Sequence, residues 1–147
     1  ATATPISTST PFPTFIVPTL PPPLPTMVPS VTITTTSTAY SCQVLSQTPW
    51  LGKGVVPGYD FDMHWVVKNT GSSTWDQNNV DLRYASGTKF QKYADAVDFP
   101  KTVKSGEQID LAVDMVAPTA YGIYSGYWNI VQSDKVICTV EVQVWVK

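Results

Sequence analysis

Residues 59–75 read YDFDMHWVVKNTGSSTW, and no other part of the chain predicts its structure as strongly. Apolar side chains at 59, 61, 63, 65 and 67 alternate with mostly polar ones, which is the two-residue period of a half-buried β-strand. The run Asn69-Thr70-Gly71-Ser72 then predicts a turn, because asparagine and glycine tolerate positive φ and the hydroxyls bond back to the backbone. Trp65 and Trp75 on either side of that turn indicate a core that contains large aromatic rings.

The same alternation recurs in short runs over residues 40–147. We predict further strands at 40–46, 80–85, 108–116, 123–132 and 136–146, separated by turn sequences such as Pro57-Gly58. In the last run, Val136 and Cys138 are expected to face the core together with the later valines, whereas residues 89–99 have no clear period. About seven short strands without a helical period indicate an all-β fold, an immunoglobulin-like antiparallel β-sandwich.

Only two cysteines are present, Cys42 and Cys138. A single distant pair in a β-rich chain favours one disulfide and therefore an oxidising compartment, so we expect an extracellular or cell-surface, secreted protein. A disulfide between Cys42 and Cys138 would close a long loop, and in the chain-entropy model this would stabilise the fold by about 4 kcal/mol. The alternative is two buried free thiols in a cytosolic domain.

Residues 1–39 differ in kind from the rest. Nine of the 13 prolines precede residue 30, and the first charged residue of the chain is Lys53. Proline excludes a helix and a central strand, so we predict an extended segment, largely polyproline II. One interpretation is a stalk or linker that carries O-linked glycans on its Ser and Thr residues.

The large apolar side chains of this segment favour a second interpretation, because linkers kept in solution by their composition are usually poor in them. We predict that the segment docks on another copy of the protein, with Val31-Thr32-Ile33-Thr34-Thr35-Thr36 suited to add to a sheet edge. Docking on its own domain is the other option. The predicted docking residues are Phe12, Phe15, Ile16, Val17, Leu20, Leu24, Val31 and Ile33.

The aromatic pattern of residues 40–147 resembles a known family. Phe61, Trp65, the Asn69-Thr70-Gly71 turn and Trp75 come first, and the further matching positions are Ser105-Gly106-Glu107, Ala117-Pro118, Gly122, Tyr124, Trp128 and Trp145. This pattern is similar to the four-tryptophan domain, an immunoglobulin-like module of selective-autophagy receptors and many bacterial surface proteins. The resemblance implies a non-catalytic module that binds protein or peptide partners. It departs from the family at residues 133–139, where a Phe-Gly pair is expected.

Charge and composition exclude several classes of function. The net charge of −2 without a basic run argues against nucleic acid as a partner, and no uninterrupted apolar run is long enough for a membrane span. His64, the only histidine, lacks a nucleophile in an activating context, and with Asp60 and Asp62 it resembles a cation site only weakly. We therefore expect no enzyme, no cofactor and no metal.

The tryptophans divide into two groups. Phe61, Trp65, Trp75 and Trp128 are predicted to be core aromatics, because their positions are in phase with their strands. Trp145 is out of phase with the valines around it, and Trp50 lies in a loop rich in Pro and Gly, so both are candidates for exposed binding positions. Packing under a loop or under the N-terminal segment is the alternative.

Two functions follow from these expectations. The first is a structural subunit that assembles into a filament or surface layer when residues 1–39 dock on a neighbouring subunit. The second is a binding or adhesion module displayed on a stalk, which recognises peptide or glycan through Trp50 and Trp145.

Overall fold

The computed structural model describes residues 38–147, together with Pro11 and Pro13. Residues 38–147 form eight strands: β1 (Cys42–Thr48), β2 (Lys53–Val55), β3 (Asp60–Asn69), β4 (Val80–Gly87), β5 (Ala96–Asp98), β6 (Gln108–Val116), β7 (Gly122–Gln132) and β8 (Lys135–Val146). In this part of the chain there is no helix that could cross a membrane.

The strands form two sheets that pack as a sandwich. One sheet has the order β1-β3-β6, and the other has the order β2-β8-β7-β4-β5. The predicted immunoglobulin-like β-sandwich is confirmed, with one difference: β2 pairs with β8 in parallel. Parallel pairing is possible here because β2 and β8 are separated in the chain by β3 to β7, and so no hairpin joins them.

Strand β3 lies at the centre of the three-stranded sheet and supplies much of the core. Phe61, Met63, Trp65 and Val67 are all buried, as the alternation predicts. Asn69 at the end of the strand is also buried, although it is polar. Opposite β3, the second sheet presents Trp128, whose ring centroid lies 6.5 Å from that of Trp65. The aromatic core therefore spans both sheets.

The prediction for the start of β8 was wrong. Val136 is 50% exposed, and Ile137 is the buried residue at 8%. The register with β7 shifts at this point, since Ile130 faces Cys138 whereas Val131 faces Val136. An extra residue in one strand reverses which side chains face inward. Beyond the irregularity, Val140, Val142, Val144 and Val146 are buried as expected.

The region without a clear period contains a short strand. Within residues 89–99, β5 pairs with β4, and Gln91 forms a single bridge with Met115 of β6. Phe90 and Phe99 are buried in the core. Strand β5 has only three residues, too few for its alternation to stand out in the sequence.

Candidate functional site

A disulfide joins Cys42 on β1 to Cys138 on β8, with a Cα–Cα distance of 6.0 Å. The predicted pairing is confirmed. Because β1 and β8 belong to different sheets, the bond links the two layers of the sandwich at one side. The half-buried sulfur atoms pack against the hydrophobic core.

The four predicted core aromatics are all buried. The indole N–H of Trp65 donates to the carbonyl oxygen of Glu141 on the opposite sheet at 2.9 Å. Trp75 packs edge-on against Phe99, and Tyr84 packs edge-on against Trp128. These rings hold the layers together, and their burial makes them unavailable to a ligand.

Trp50, in contrast, is 65% exposed. The ammonium group of Lys53 lies 5.5 Å from the centroid of its ring and 5.7 Å from that of Tyr59. Tyr59 in turn stacks on Phe61 at 6.0 Å. The exposed indole therefore stands beside one cation, and the adjoining tyrosine connects this surface to the core.

Trp145 is 47% exposed and lies on the outer face of the five-stranded sheet. Its register neighbours are Gly54 on β2 and Ile123 on β7, and Ile123 is 71% exposed. The ammonium group of Lys147 lies 4.5 Å from the ring centroid. Lys53 and Gly54 are consecutive on β2, so these two residues lie on opposite faces of that strand.

The outer edge of β6 belongs to a strand that pairs with β3 over nine residues without a register shift. Ala117 N–H donates to the carbonyl of Tyr59 at 2.8 Å, and Asn69 N–H donates to the carbonyl of Glu107 at 2.9 Å. Odd-numbered residues of this strand therefore direct their backbone groups toward β3. Even-numbered residues direct theirs outward, because successive residues of a strand alternate.

Within residues 38–147, only one end of that outer edge is covered. Val116 N–H donates to the carbonyl of Phe90 at 2.8 Å, and Lys92 N–H donates to the carbonyl of Asp114 at 3.1 Å. Farther along, the outward N–H and C=O groups of Gln108, Asp110 and Ala112 have no backbone partner in residues 38–147. We call residues 108–112 the open edge of β6.

A groove lies beside the open edge, where β5 of the second sheet approaches β6. Its volume is about 130 Å³, and its lining includes the apolar side chains of Val97, Ala112 and Val113. Gln91 also lines it, and the Oε1 atom of this side chain is buried without a hydrogen-bond partner among the described residues. Its Nε2 atom donates to Asp95 at 2.6 Å. The groove thus combines apolar side chains with polar ones, which include the carboxylate of Asp114 and the unsatisfied acceptor of Gln91.

Charged side chains near β6 pair with each other. The ammonium group of Lys92 contacts Asp60 at 2.7 Å and Asp114 at 2.9 Å. Hydrogen bonds first to Asp60 and then to Asp114 raise the pKa of Lys92 above its ordinary value. The Nδ1 atom of His64 lies 3.2 Å from Asp110. Residues 38–147 contain no group of three or more His, Cys, Asp or Glu side chains placed to hold a metal ion.

The chain enters the domain along the turn that follows β3. The carbonyl of Thr38 accepts from Ser72 N–H at 3.2 Å, and that of Ala39 accepts from Ser73 N–H at 3.0 Å. Asn69 organises this turn from inside, since its Nδ2 atom donates to the carbonyls of Ser73 and Val103 and its Oδ1 atom accepts from Gly71 N–H. A Cβ on Gly71 would lie 2.4 Å from the carbonyl oxygen of Ala39, so this contact requires glycine.

The predicted docking residues lie outside the described residues. These are Phe12, Phe15, Ile16, Val17, Leu20, Leu24, Val31 and Ile33. Sequence analysis did not find the open edge of β6 or the acceptor of Gln91. The alternation of residues 108–116 predicts a strand, but the position of that strand at a sheet edge depends on distant pairings.

With the geometry established, comparison with known proteins identifies the domain. The family model described as "Ig-like domain from next to BRCA1 gene" matches residues 51–147. The chain belongs to this family. The resemblance found in the tryptophan pattern is thereby confirmed for a domain of the NBR1 type.

Three relatives of this NBR1-type domain show how far the similarity extends. The chain is 32% identical over 85 residues to Protein NBR1 homolog of Arabidopsis thaliana, covering 56% of this chain and 12% of that protein. It is 29% identical over 80 residues to Next to BRCA1 gene 1 protein of Mus musculus, covering 54% and 8%. It is 30% identical over 79 residues to Protein ILRUN of Danio rerio, covering 54% and 27%. The similarity thus spans only a small part of each relative.

Proposed function

We propose that this protein is a non-enzymatic structural subunit that assembles with other copies of itself into an extracellular filament or surface layer. In this proposal, residues 1–39 dock on a neighbouring subunit. The observation that carries the proposal is the open edge of β6, whose outward backbone groups have no backbone partner among residues 38–147. An unpaired edge is a template for association with another chain.

The sequence of residues 1–39 supports the same proposal. It combines many large apolar side chains with no charged residue, so contact with a protein surface is more favourable for it than contact with water. The disulfide between Cys42 and Cys138 supports an oxidising, extracellular location. Glycans on Ser and Thr residues of this segment are compatible with the proposal, provided that they leave the apolar docking residues free.

The full chain tests the proposal directly. We expect sedimentation and electron microscopy to show oligomers or filaments whose amount grows with concentration. Replacing two predicted docking residues, Phe15→Asp with Val17→Asp, should weaken association by at least about tenfold. The matched control, Thr14→Asp with Thr19→Asp, adds the same charge at polar positions and should associate nearly as the natural chain does. A natural chain that stays monomeric at high concentration would overturn the proposal.

A second candidate function is a binding module displayed on a stalk, which recognises peptide or glycan. The exposed rings of Trp50 and Trp145 favour it, because aromatic side chains are common anchors at binding surfaces. Trp50→Ala or Trp145→Ala should then abolish retention on glycan or peptide matrices without changing thermal unfolding. Tyr93→Ala is the matched control, since Tyr93 is also an exposed aromatic residue. Equal retention of all variants would argue against this function.

A further inference from the structure

We infer that the open edge of β6 is the acceptor for residues 31–36 of a second copy, which add to the three-stranded sheet as a fourth strand. The inference rests on the proposed function and specifies which segment docks and where. It follows from the length of the open edge, the groove beside it and the reach of the chain.

The length and composition of residues 31–36 match the open edge. Residues 108–112 span about 17 Å at the rise of an extended strand. The sequence Val31-Thr32-Ile33-Thr34-Thr35-Thr36 has six residues, all β-branched, with neither charge nor proline. Such residues favour extended pairing and leave every backbone N–H free to donate.

The side chains of this segment match the groove. With a period of two, Val31, Ile33 and Thr35 share one face, while the other three threonines share the opposite face. The first face would meet Val97 and Val113 of the groove. The hydroxyl of Thr35 would supply a donor for the unpartnered Oε1 atom of Gln91. The opposite face is polar and suits contact with solvent.

The other sheet edges are poorer acceptors. Strands β2 and β5 have three residues each. The stretch of β8 that β2 leaves unpaired is interrupted by a register shift against β7, and its Glu141 carbonyl already accepts from the indole of Trp65. Strand β1 has an irregular register between Val44 and Ser46, and irregular strands pair less readily with a partner. Strand β6 is regular over nine residues and contains neither Lys nor Pro, two residue types that commonly protect exposed edges.

We assign the donor to a second copy because the connection from Thr36 to the domain is short. Thr38 is bonded to the turn that continues β3. A strand added outside β6 lies two strand spacings from β3, about 10 Å. Two residue steps separate Thr36 from Thr38 and span roughly 7 Å at most. Pairing of all six residues with the β6 edge of the same chain would need a longer connection, whereas a donor from a second copy has no such limit.

Two full-length variants test the inference by complementation. Ala112→Pro removes an outward N–H and places a proline ring on the open edge, so this variant keeps its donor segment but lacks an acceptor. Ile33→Asp places a charge on the face that enters the groove, so this variant keeps the acceptor but lacks a donor. Each alone should associate at least about tenfold more weakly than the natural chain. An equimolar mixture should form dimers with one copy of each variant, visible by native mass spectrometry.

Matched variants distinguish a loss of the acceptor edge from general effects of an added charge or of a proline. Thr34→Asp adds the same charge on the solvent face and should leave association unchanged. Ala112→Lys is a second variant that should block the edge, and it replaces Ala112→Pro if the proline perturbs folding. Ala112→Thr is the control and should not block the edge. Normal association by Ala112→Pro and Ala112→Lys would overturn the inference while leaving the proposed function intact. The absence of mixed dimers would also overturn it, whereas a monomeric natural chain would overturn both.

Discussion

The two edge strands of the three-stranded sheet, β1 and β6, are held in different ways. Strand β1 is bonded covalently to the opposite sheet through Cys42, and its register is irregular between Val44 and Ser46. Strand β6 pairs regularly with β3 over nine positions and has no covalent link. Among the described residues, those at 90–92 cover its C-terminal end and none covers the remainder of the edge. One sheet thus combines a covalently anchored edge with an edge whose outward groups at residues 108–112 have no backbone partner in the described part of the chain.

A small β-sandwich must be stable, and in the proposed function it must also bind a partner. The two edges meet these requirements separately. Stability can be concentrated at β1, where the disulfide restricts the unfolded chain. The opposite edge then does not need a cross-link, and in the proposed function its outward backbone groups pair with a partner. Four predictions test this division.

The largest effect is expected from removing the link at β1. The double variant Cys42→Ser with Cys138→Ser should lower the free energy of unfolding by about 4 kcal/mol, because the unfolded chain regains the entropy of a long loop. Denaturant unfolding of the natural and variant chains measures this difference. Chemical reduction of the natural chain is the control and should give a similar loss. A loss below about 1 kcal/mol would show that packing alone anchors β1.

A pair of proline variants tests which residues of β6 direct their backbone N–H groups toward β3 and which direct them outward. Val113→Pro removes an N–H directed at β3 and also replaces a buried side chain, so it should cost about 3 kcal/mol of unfolding free energy. Ala112→Pro removes an outward N–H at an exposed position and should cost less than about 1 kcal/mol. Denaturant unfolding of both variants measures the contrast. Equal losses would contradict the assignment of outward groups to even-numbered residues.

Asn69 tests how the chain is held where it enters the sheet near β1. Asn69→Ala leaves the N–H of Gly71 and the carbonyls of Ser73 and Val103 without this partner, so it should cost about 2 kcal/mol. Thermal unfolding measures this cost, and hydrogen exchange should show faster exchange of the Ser72 and Ser73 amides, which donate to the entering chain. Thr70→Ala, which removes only an exposed hydroxyl contact with Ser41, is the control. A similar change in both variants would contradict the role of Asn69.

The smallest effect concerns the covered end of β6. A hydrogen bond from Lys89 lowers the pKa of Asp95 below its ordinary value of 3.8, with a further contribution from Gln91. A lowered carboxyl pKa means that this pairing stabilises the fold above about pH 4 and stops doing so as pH falls through the folded-state pKa. Both side chains are exposed, so the effect should be small.

Amide exchange of Val116 across pH 2–6 measures this effect, because Val116 donates to the segment that Lys89 and Asp95 hold. In Lys89→Met, the exchange rate of the Val116 amide, corrected for the intrinsic pH dependence, should be less sensitive to pH below 4. Arg83→Met, which removes a pairing to Asp81 elsewhere on the surface, is the control. An unchanged pH profile in Lys89→Met would contradict the proposed role of the pair.

Much of the sandwich was predictable because its signals are local. The alternation in residues 59–69 and 108–116 corresponds to β3 and β6 almost residue for residue. The two cysteines allowed only one internal disulfide, and the order of the tryptophans indicated the family. These features follow from a two-residue period, from the count of cysteines and from the spacing of aromatic residues, all of which can be read along one chain.

The sequence alone therefore determined the strand-rich class, the aromatic core and the disulfide. Only the tertiary structure decided that β2 runs parallel to β8, that Ile137 and not Val136 faces inward, and that β6 is an edge. Each of these depends on which distant strand lies alongside, and the local period of a strand is the same at the centre of a sheet as at its border. The open edge of β6 exists because no other described strand continues the sheet beyond it. The sequence of β6 alone does not indicate that this strand lies at an edge.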